Sequence, residues 1–131
     1  MPDYGFPKEL RLNRAAEYKA VLSKAKYNVS CRYLLIFAID NSLSNPRLGV
    51  IVGKKHVATA VQRNRIKRVL RTSFRHNQDL LGSLDIVILA RSNLGSLNNR
   101  RIAEKTLHLW RDLVNKVAGK NKATTNTNIS A

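Results

Sequence analysis

Residues 85–90 constrain the fold of this chain more than any other segment. They read Asp-Ile-Val-Ile-Leu-Ala, an almost unbroken apolar run. Successive residues of a strand face opposite sides of its sheet, so such a run is typical of a strand that is buried on both faces. The segment therefore predicts a parallel or central strand.

The clearest helical pattern lies just before this strand, over residues 57–75. The segment contains no Gly or Pro, and its apolar residues recur at helical spacing: Val61, Ile66, Val69, Leu70 and Phe74. We therefore predict a helix here with one face turned toward the core.

Two more helices are predicted near the ends of the chain. Residues 14–23 place Tyr18 on the same face as three aliphatic residues, and Asn13 is the expected N-cap. These aliphatic residues are Ala15, Val21 and Leu22. The last helix is expected to begin at Asn98 or Asn99, to carry Trp110 on its core-facing stripe and to end at Gly119.

Two further strands are predicted in the first half of the chain. Residues 31–39 are rich in aromatic and branched side chains, and residues 48–52 follow a turn at Asn45-Pro46. We expect these two segments to form an antiparallel pair joined by a loop, with one more short strand over residues 26–29. The resulting order, α-β-β-α-β-α, predicts an α+β fold.

The length and composition favour a single domain. The chain has 131 residues, of which 44% are hydrophobic, enough to close one modest core. We expect residues 1–118 to form one α/β domain with a short N-terminal arm. Residues 119–131 carry hardly any apolar side chain and are expected to form a disordered polar tail.

Neither a membrane span nor an export signal is predicted. The longest apolar run, residues 33–39, is far short of the roughly 20 residues that a spanning helix needs. Residues 1–7 lack the basic and apolar regions of a signal peptide. Cys31 is the only cysteine, so no internal disulfide can form, in agreement with a reducing compartment. We expect a cytoplasmic protein.

The charge of the chain points to a polyanionic partner. Lys and Arg number 24 against 8 Asp and Glu, which gives a formal net charge of +16. A compact domain this basic repels itself unless an anion supplies countercharge, and nucleic acid is the first candidate. An anionic membrane surface is the second, but it requires a helix with a strongly apolar face toward lipid, and the basic helix has only an ordinary core-facing stripe.

The cations are concentrated in one block without acidic residues, residues 41–78. Nine Lys and Arg residues lie in this block: Arg47, Lys54, Lys55, Arg63, Arg65, Lys67, Arg68, Arg71 and Arg75. Asn64 and four of the cations share roughly a third of the helix circumference. A solvated helix face is the simplest alternative, but solvated faces usually mix signs, whereas the like charges here repel at i,i+3 and i,i+4. We therefore interpret the face as a phosphate-binding surface, extended by Lys54 and Lys55 near the helix N-terminus.

Other chemistries have little support in the sequence. Residues 49–55 resemble a Walker loop, but the glycine spacing is one residue short and no Ser or Thr follows the lysine. His56, His76 and His108 are scattered, so we expect no metal held by the protein. No nucleophile or acid pair suggests catalysis by this chain alone. Tyr18 and Phe37 could stack on an unpaired nucleotide, and core packing is the alternative for both.

Residues 60–71, which include Arg63-Asn64-Arg65, together with Ser73-Phe74-Arg75, resemble the RNR signature of the bacterial ribonuclease P protein subunit. The flanking segments follow the same order: residues 6–12 near the start, residues 46–55 before the helix and residues 85–91 after it. The resemblance covers roughly residues 6–115.

This resemblance implies a two-layer α/β sandwich of the ribosomal protein S5 domain 2-like type, with a left-handed βαβ crossover. It also implies a subunit that binds ribonuclease P RNA and the 5′ leader of precursor tRNA. The RNA subunit would carry the active site, with Mg²⁺ held mainly by that RNA and the substrate. The protein would be monomeric, one copy per RNA subunit, with no membrane partner.

The resemblance also implies roles for individual residues. The residues that match RNA-binding positions are Lys54, Lys55, Arg63, Asn64, Arg65, Lys67, Arg68, Arg71 and Arg75. The first helix and the sheet face would form a leader-binding cleft with Tyr18, Phe37 and Leu22. Leu22 stands where the family often has Phe, so aromatic stacking is not expected at that position. Thr72 stands where many members have an acid, so any helix ion pair made there is lost.

Three other functions compete with this interpretation. A structural or ribosomal RNA-binding protein would have the same charge and fold class, but the RNR context would then have no explanation. A DNA-binding helix-turn-helix needs a second helix where residues 48–52 read as a strand. A self-sufficient nuclease would remain active without any RNA subunit.

Overall fold

A computed structural model describes the backbone of residues 10–126 and the side chains of residues 10–119. It contains four strands, four α-helices and a 3₁₀ turn at Leu94–Ser96. In chain order the elements are α1 (Ala15–Lys24), β1 (Tyr27–Ser30), β2 (Leu34–Asp40), β3 (Arg47–Ile51), α2 (Ala60–His76), α3 (Gln78–Leu81), β4 (Leu84–Ala90) and α4 (Asn99–Asn126). The predicted α+β class and the short first strand are confirmed.

The strands form one sheet in the order β1-β2-β4-β3. β4 is antiparallel to β2 and parallel to β3, with Ile88 opposite both Ile36 and Val50. The expectation of a central strand over residues 85–90 is therefore confirmed. The predicted pairing of the second and third strands is wrong, because β4 lies between them. An interior position gives β4 a neighbouring strand on each edge, and helices cover the two faces of the sheet, α2 and α4 on one side and, in part, α1 on the other.

One face of the sheet is covered by α2 and α4. The core on this side joins Ile66, Leu70 and Phe74 of α2 to the sheet. Trp110 of α4 is fully buried as predicted; its Nε1 donates a hydrogen bond to Ser73 Oγ at 2.9 Å, and its ring meets Phe74 edge-on. Burying a side chain such as Phe74 contributes roughly 1.5–3 kcal/mol. This is the predicted sheet-and-helix sandwich.

The opposite face is partly covered by α1. Val21 of α1 packs on Val87 of β4, together with Leu12 from the segment before the helix. The backbone N–H of Leu12 also donates to the Leu48 carbonyl at 3.0 Å. Phe37 on this face is only partly buried, so the helix leaves part of the sheet face open as a cleft.

The helix ends differ from the prediction at three points. The N-cap of α1 is Arg14 rather than Asn13, because Glu17 Oε1 accepts the backbone N–H groups of both residues. Val61 is 77% exposed and not in the core, since it precedes Arg68 by two turns and shares its outward side. α4 begins after its cap Asn98, as expected, but runs past Gly119 to Asn126.

The run past Gly119 has a physical reason: a glycine weakens a helix by about 1 kcal/mol without ending it. The predicted arm falls mainly on residues 1–9, which lie outside the described residues, as do residues 127–131 of the predicted tail. The left-handed sense of the β3–α2–β4 crossover stays a prediction. No helix in the described part of the chain is long and apolar enough to cross a membrane.

Candidate nucleic-acid interface

The N-terminus of α2 is built to present backbone N–H groups beside cations. Thr59 caps the helix, its Oγ1 accepting the Gln62 N–H at 3.2 Å. Lys54, Lys55 and His56 are all exposed in the turn that leads from β3 to this cap. The positive end of the helix dipole and two ammonium groups therefore occur in the same short segment, which suits a phosphate.

Two of the predicted RNA-binding arginines make hydrogen bonds within the protein. Arg63 Nη1 donates to the carbonyls of Val57 and Ala58 at 3.0 and 2.8 Å. Arg65 donates through all three nitrogens, to Gln62 Oε1 at 2.8 Å, to Asn99 Oδ1 at 2.6 Å and to the Gly95 carbonyl at 3.3 Å. Arg63 thus stabilises the turn before α2, and Arg65 connects α2 to the 3₁₀ turn and to the start of α4.

The remaining predicted residues of α2 lie on its outer side. Asn64 and Arg68 are exposed, and Lys67, Arg71 and Arg75 are half-buried. Thr72, the departure from the family pattern, is exposed beside them. The opposite side of α2 is buried in the core, so the helix presents a cationic face with no acidic residue of its own.

The predicted cleft residues lie on the face of the sheet that α1 partly covers. Tyr18 and Phe37 are half-buried and belong to one apolar cluster with Val21 and Val87. Leu22 is 38% exposed, an aliphatic side chain at the open side of α1. The structure thus brings Tyr18 and Phe37 together and leaves each ring partly accessible, which allows stacking as well as packing.

A network around Arg47 anchors α1 to the sheet. Its Nε and Nη2 donate to the two carboxylate oxygens of Asp85 at 2.8 and 2.6 Å, and its Nη1 donates to Glu17 Oε2 at 2.9 Å. Asn41 Nδ2 adds a hydrogen bond to Asp85 Oδ1 at 2.9 Å. The bidentate contact is the strong form of an arginine–carboxylate pair. Arg47, one of the nine cations of the acid-free block, therefore has a structural role: it links β3 to β4 and to α1.

The network shifts the pKa values of its members. Hydrogen bonds from the backbone N–H groups of Asn13 and Arg14 lower the pKa of Glu17, and the charge of Arg47 adds to this effect. The hydrogen bond to Asp85 raises the pKa of Arg47. Glu17 and Arg47 therefore both stay charged at neutral pH.

A cationic depression, not predicted from the sequence, continues the cleft. It has a volume of about 430 Å³ and is lined by Leu35 and Leu89 together with the exposed residues Arg32, His56 and Arg91. Leu35 lies two residues before Phe37 in β2, so both face the same side of the sheet. The depression therefore connects the cleft to the turn before α2. Arg32 and Arg91 lie outside the acid-free block, so the charge pattern of the sequence did not single them out.

Metal-binding groups are absent from the described residues. No group of three or more His, Cys, Asp or Glu side chains there could hold a metal ion. His56, His76 and His108 are all exposed and lie on different elements, as expected. The described surface thus offers cations, amides and aromatic rings, which suit a nucleic acid.

The family model described as Ribonuclease P matches residues 6–114 of the chain. The chain is 43% identical to the Ribonuclease P protein component of Pseudomonas aeruginosa over 109 residues, which are 83% of this chain and 81% of that protein. It is 46% identical to that of Pseudomonas putida over 113 residues, 86% of this chain and 84% of the relative.

The fold is similar to those of two solved RNase P proteins. The Staphylococcus aureus protein gives a TM-score of 0.73 at 26% identity, with 78% of this chain and 93% of that chain covered. The Thermotoga maritima protein, solved in complex with 1-(4-fluorophenyl)-2-thiourea, gives a TM-score of 0.70 at 28% identity, with 76% and 96% covered.

Proposed function

The chain belongs to the ribonuclease P protein family. From that premise we propose which RNA binds to each surface of the protein. The chain is the protein subunit of ribonuclease P, an endoribonuclease, and it acts with an RNA partner in the processing of tRNA 5′ ends. The proposal concerns which RNA meets which surface and where the reaction takes place.

The outer face of α2 binds ribonuclease P RNA. Asn64 and Arg68 are exposed there, and Lys67, Arg71 and Arg75 surround them with accessible charge. Guanidinium groups contact phosphates in a bidentate manner, which suits the backbone of a folded RNA. Lys54 and Lys55 extend this surface beyond the helix N-terminus. Arg63 and Arg65 support it by fixing α2 on the domain while keeping unused N–H donors for a phosphate.

The cleft between α1 and the sheet binds the single-stranded 5′ leader of precursor tRNA. Tyr18 and Phe37 supply two partly exposed rings, and stacking on a ring tolerates any base. Leu22 contributes an apolar contact without stacking. Because mature tRNA has no leader, such a cleft favours the substrate over the product.

The RNA subunit carries the active site, and the protein is its accessory. Among the described residues, no group of three or more His, Cys, Asp or Glu side chains could hold a metal ion. We assign Mg²⁺ mainly to the RNA subunit and the substrate. The protein contributes countercharge and leader binding, as one monomer per RNA subunit in the cytoplasm.

One structural feature supports this division most directly: a partly open aromatic cleft and a cationic helix face occur on one small domain, connected by the depression at Arg32, His56 and Arg91. A protein that only stabilises a folded RNA needs the helix face but has no use for a cleft with partly exposed aromatic rings. That alternative, a structural RNA-binding protein, therefore predicts no dependence on the leader.

A double variant tests the cleft. In the reconstituted holoenzyme, Tyr18→Ala with Phe37→Ala should weaken the binding of leader-bearing precursor tRNA by about tenfold or more, because each lost stacking contact is worth about 1–3 kcal/mol. Affinity for mature tRNA should not change. Leu43→Ala, at an exposed apolar residue of the loop between β2 and β3, is the control. Unchanged leader-dependent affinity in the double variant would contradict the cleft assignment.

A further inference from the structure

Gly49 lies directly beneath the ring of Tyr18. A Cβ atom added at Gly49 would lie 2.5 Å from Tyr18 Cε2, 2.6 Å from Cζ and 2.9 Å from Oη. Real Cβ atoms essentially never come within 3.0 Å of another heavy atom. Only a glycine in β3 therefore allows the phenol ring to lie where it does.

The contact is one of two adjacent links between α1 and β3. Tyr18 follows Glu17, whose Oε2 accepts a hydrogen bond from Arg47 Nη1 at 2.9 Å. Arg47 and Gly49 are two residues apart in β3, so they face the same side of the sheet. The ion pair fixes the position of α1 here. Because Gly49 has no side chain, the ring of Tyr18 can pack directly against the backbone of β3.

The ring would yield to an added methyl group more readily than the backbone. The three nearest atoms that a Cβ would meet all belong to the far end of the Tyr18 side chain. α1 would remain anchored by the Glu17–Arg47 pair and by Val21, which is 1% exposed against the sheet. A methyl group at position 49 should therefore push the ring outward, into the space of the cleft.

We propose that Gly49 is a positioning residue for leader binding. Because Gly49 has no side chain, the ring of Tyr18 packs against β3, in the same apolar cluster as Phe37. The cleft therefore stays open for an unpaired nucleotide. The inference rests on the proposed leader cleft and adds a residue that touches no RNA itself.

Gly49→Ala in the holoenzyme tests this role, with Gly53→Ala as the matched control, since nothing lies within 4 Å of a Cβ at Gly53. Affinity is measured for precursor tRNA with a leader and for mature tRNA. Gly49→Ala should lose about fivefold or more of the leader-dependent affinity, in proportion to the stacking lost at Tyr18. Gly53→Ala should keep all of it. Binding to ribonuclease P RNA should be the same in both variants.

Combination with Tyr18→Ala separates a positioning role from a general structural one. Once the ring is absent, Gly49→Ala should cost no further leader affinity, whereas additive losses would overturn the proposal. Full leader-dependent affinity in Gly49→Ala, with a loss in Tyr18→Ala, would overturn the role of Gly49 alone. If neither variant loses affinity, the proposed cleft itself fails, and the role of Gly49 fails with it.

Two further measurements cover the cases in which Gly49→Ala impairs folding and in which it does not. In the first case the double variant Gly49→Ala with Tyr18→Ala should fold again, because the three nearest atoms that a Cβ at position 49 would meet all belong to the Tyr18 side chain; a double variant that stays unfolded would contradict the proposal. In folded protein labelled with 3-fluorotyrosine, the Tyr18 ¹⁹F resonance, assigned with Tyr18→Phe, should shift in Gly49→Ala and not in Gly53→Ala. An unshifted resonance in Gly49→Ala would show that the ring does not depend on Gly49.

Discussion

Arg63, Asn64 and Arg65 are consecutive, yet the three side chains have different surroundings. Both arginines donate hydrogen bonds to protein acceptors, whereas Asn64 is exposed. The same difference separates Arg65 from Arg68, one turn further along α2. The sequence pattern predicted the cationic face but not this division, because two of the three acceptors of Arg65 lie in the 3₁₀ turn and α4, some thirty residues away.

Arg68→Ala should weaken binding to ribonuclease P RNA and make its salt dependence less steep. Each phosphate contact that is lost reduces the slope of log affinity against log salt by about one for duplex-like targets. The measurement is a titration of the RNA subunit at several salt concentrations. Arg111→Ala, which removes an exposed charge from α4, is the control. A wild-type slope and affinity in Arg68→Ala would show that this side chain is simply solvated.

Arg65→Ala should lower the free energy of unfolding by about 1–2 kcal/mol, because it removes the hydrogen bonds that join α2 to Gly95 and Asn99. Urea denaturation measures this loss. Arg68→Ala is the natural comparison and should unfold like the wild type, since its side chain is exposed. Equal stability of all three proteins would show that the Arg65 contacts contribute nothing to folding.

At the scale of elements, the sequence predicted each strand but not all of their neighbours. β2 and β3 were expected to pair because they are consecutive and a turn lies between them. The apolar run of β4 indicated a strand buried on both faces, either parallel or central. In the structure β4 pairs with β2 on one edge and with β3 on the other, so β2 and β3 cannot pair with each other.

The attachment of α1 to the sheet was likewise not predictable in detail. Arg47 and Asp85 are opposite each other in the parallel register of β3 and β4, and that register is known only once the sheet order is known. The cleft depends on this attachment, because Glu17 of α1 accepts the third contact of Arg47.

Acid should weaken the attachment of α1. The pKa of Glu17 lies below its ordinary value of 4.5 in the folded protein, so its stabilising effect is present above about pH 4.5 and is lost as the pH falls through the lower, folded-state pKa. Urea midpoints between pH 7 and pH 3 measure this loss. Glu17→Gln should be less stable than the wild type at pH 7, and the difference should shrink on acidification. Parallel pH profiles for the two proteins would contradict this role of Glu17.

At the scale of the whole molecule, the charge of +16 and the fold together specify the partner class. Charge alone indicated a polyanion, and the RNR resemblance indicated which one; family membership now establishes the RNA partner. What the sequence could not supply is the continuity of the surface. The cleft, the depression at Arg32 and Arg91, and the turn at Lys54 and Lys55 come from separate segments that meet only in the folded sheet.

The central claim is that this protein assists an RNA-catalysed removal of the tRNA leader. The most direct measurement is cleavage of a leader-bearing precursor tRNA at low Mg²⁺ by a bacterial ribonuclease P RNA, with and without the purified protein. The protein should stimulate cleavage, because its cations supply countercharge that scarce Mg²⁺ cannot, and omission of the RNA subunit should abolish the reaction. Tight binding to the RNA without any stimulation, or cleavage by the protein alone, would contradict the claim.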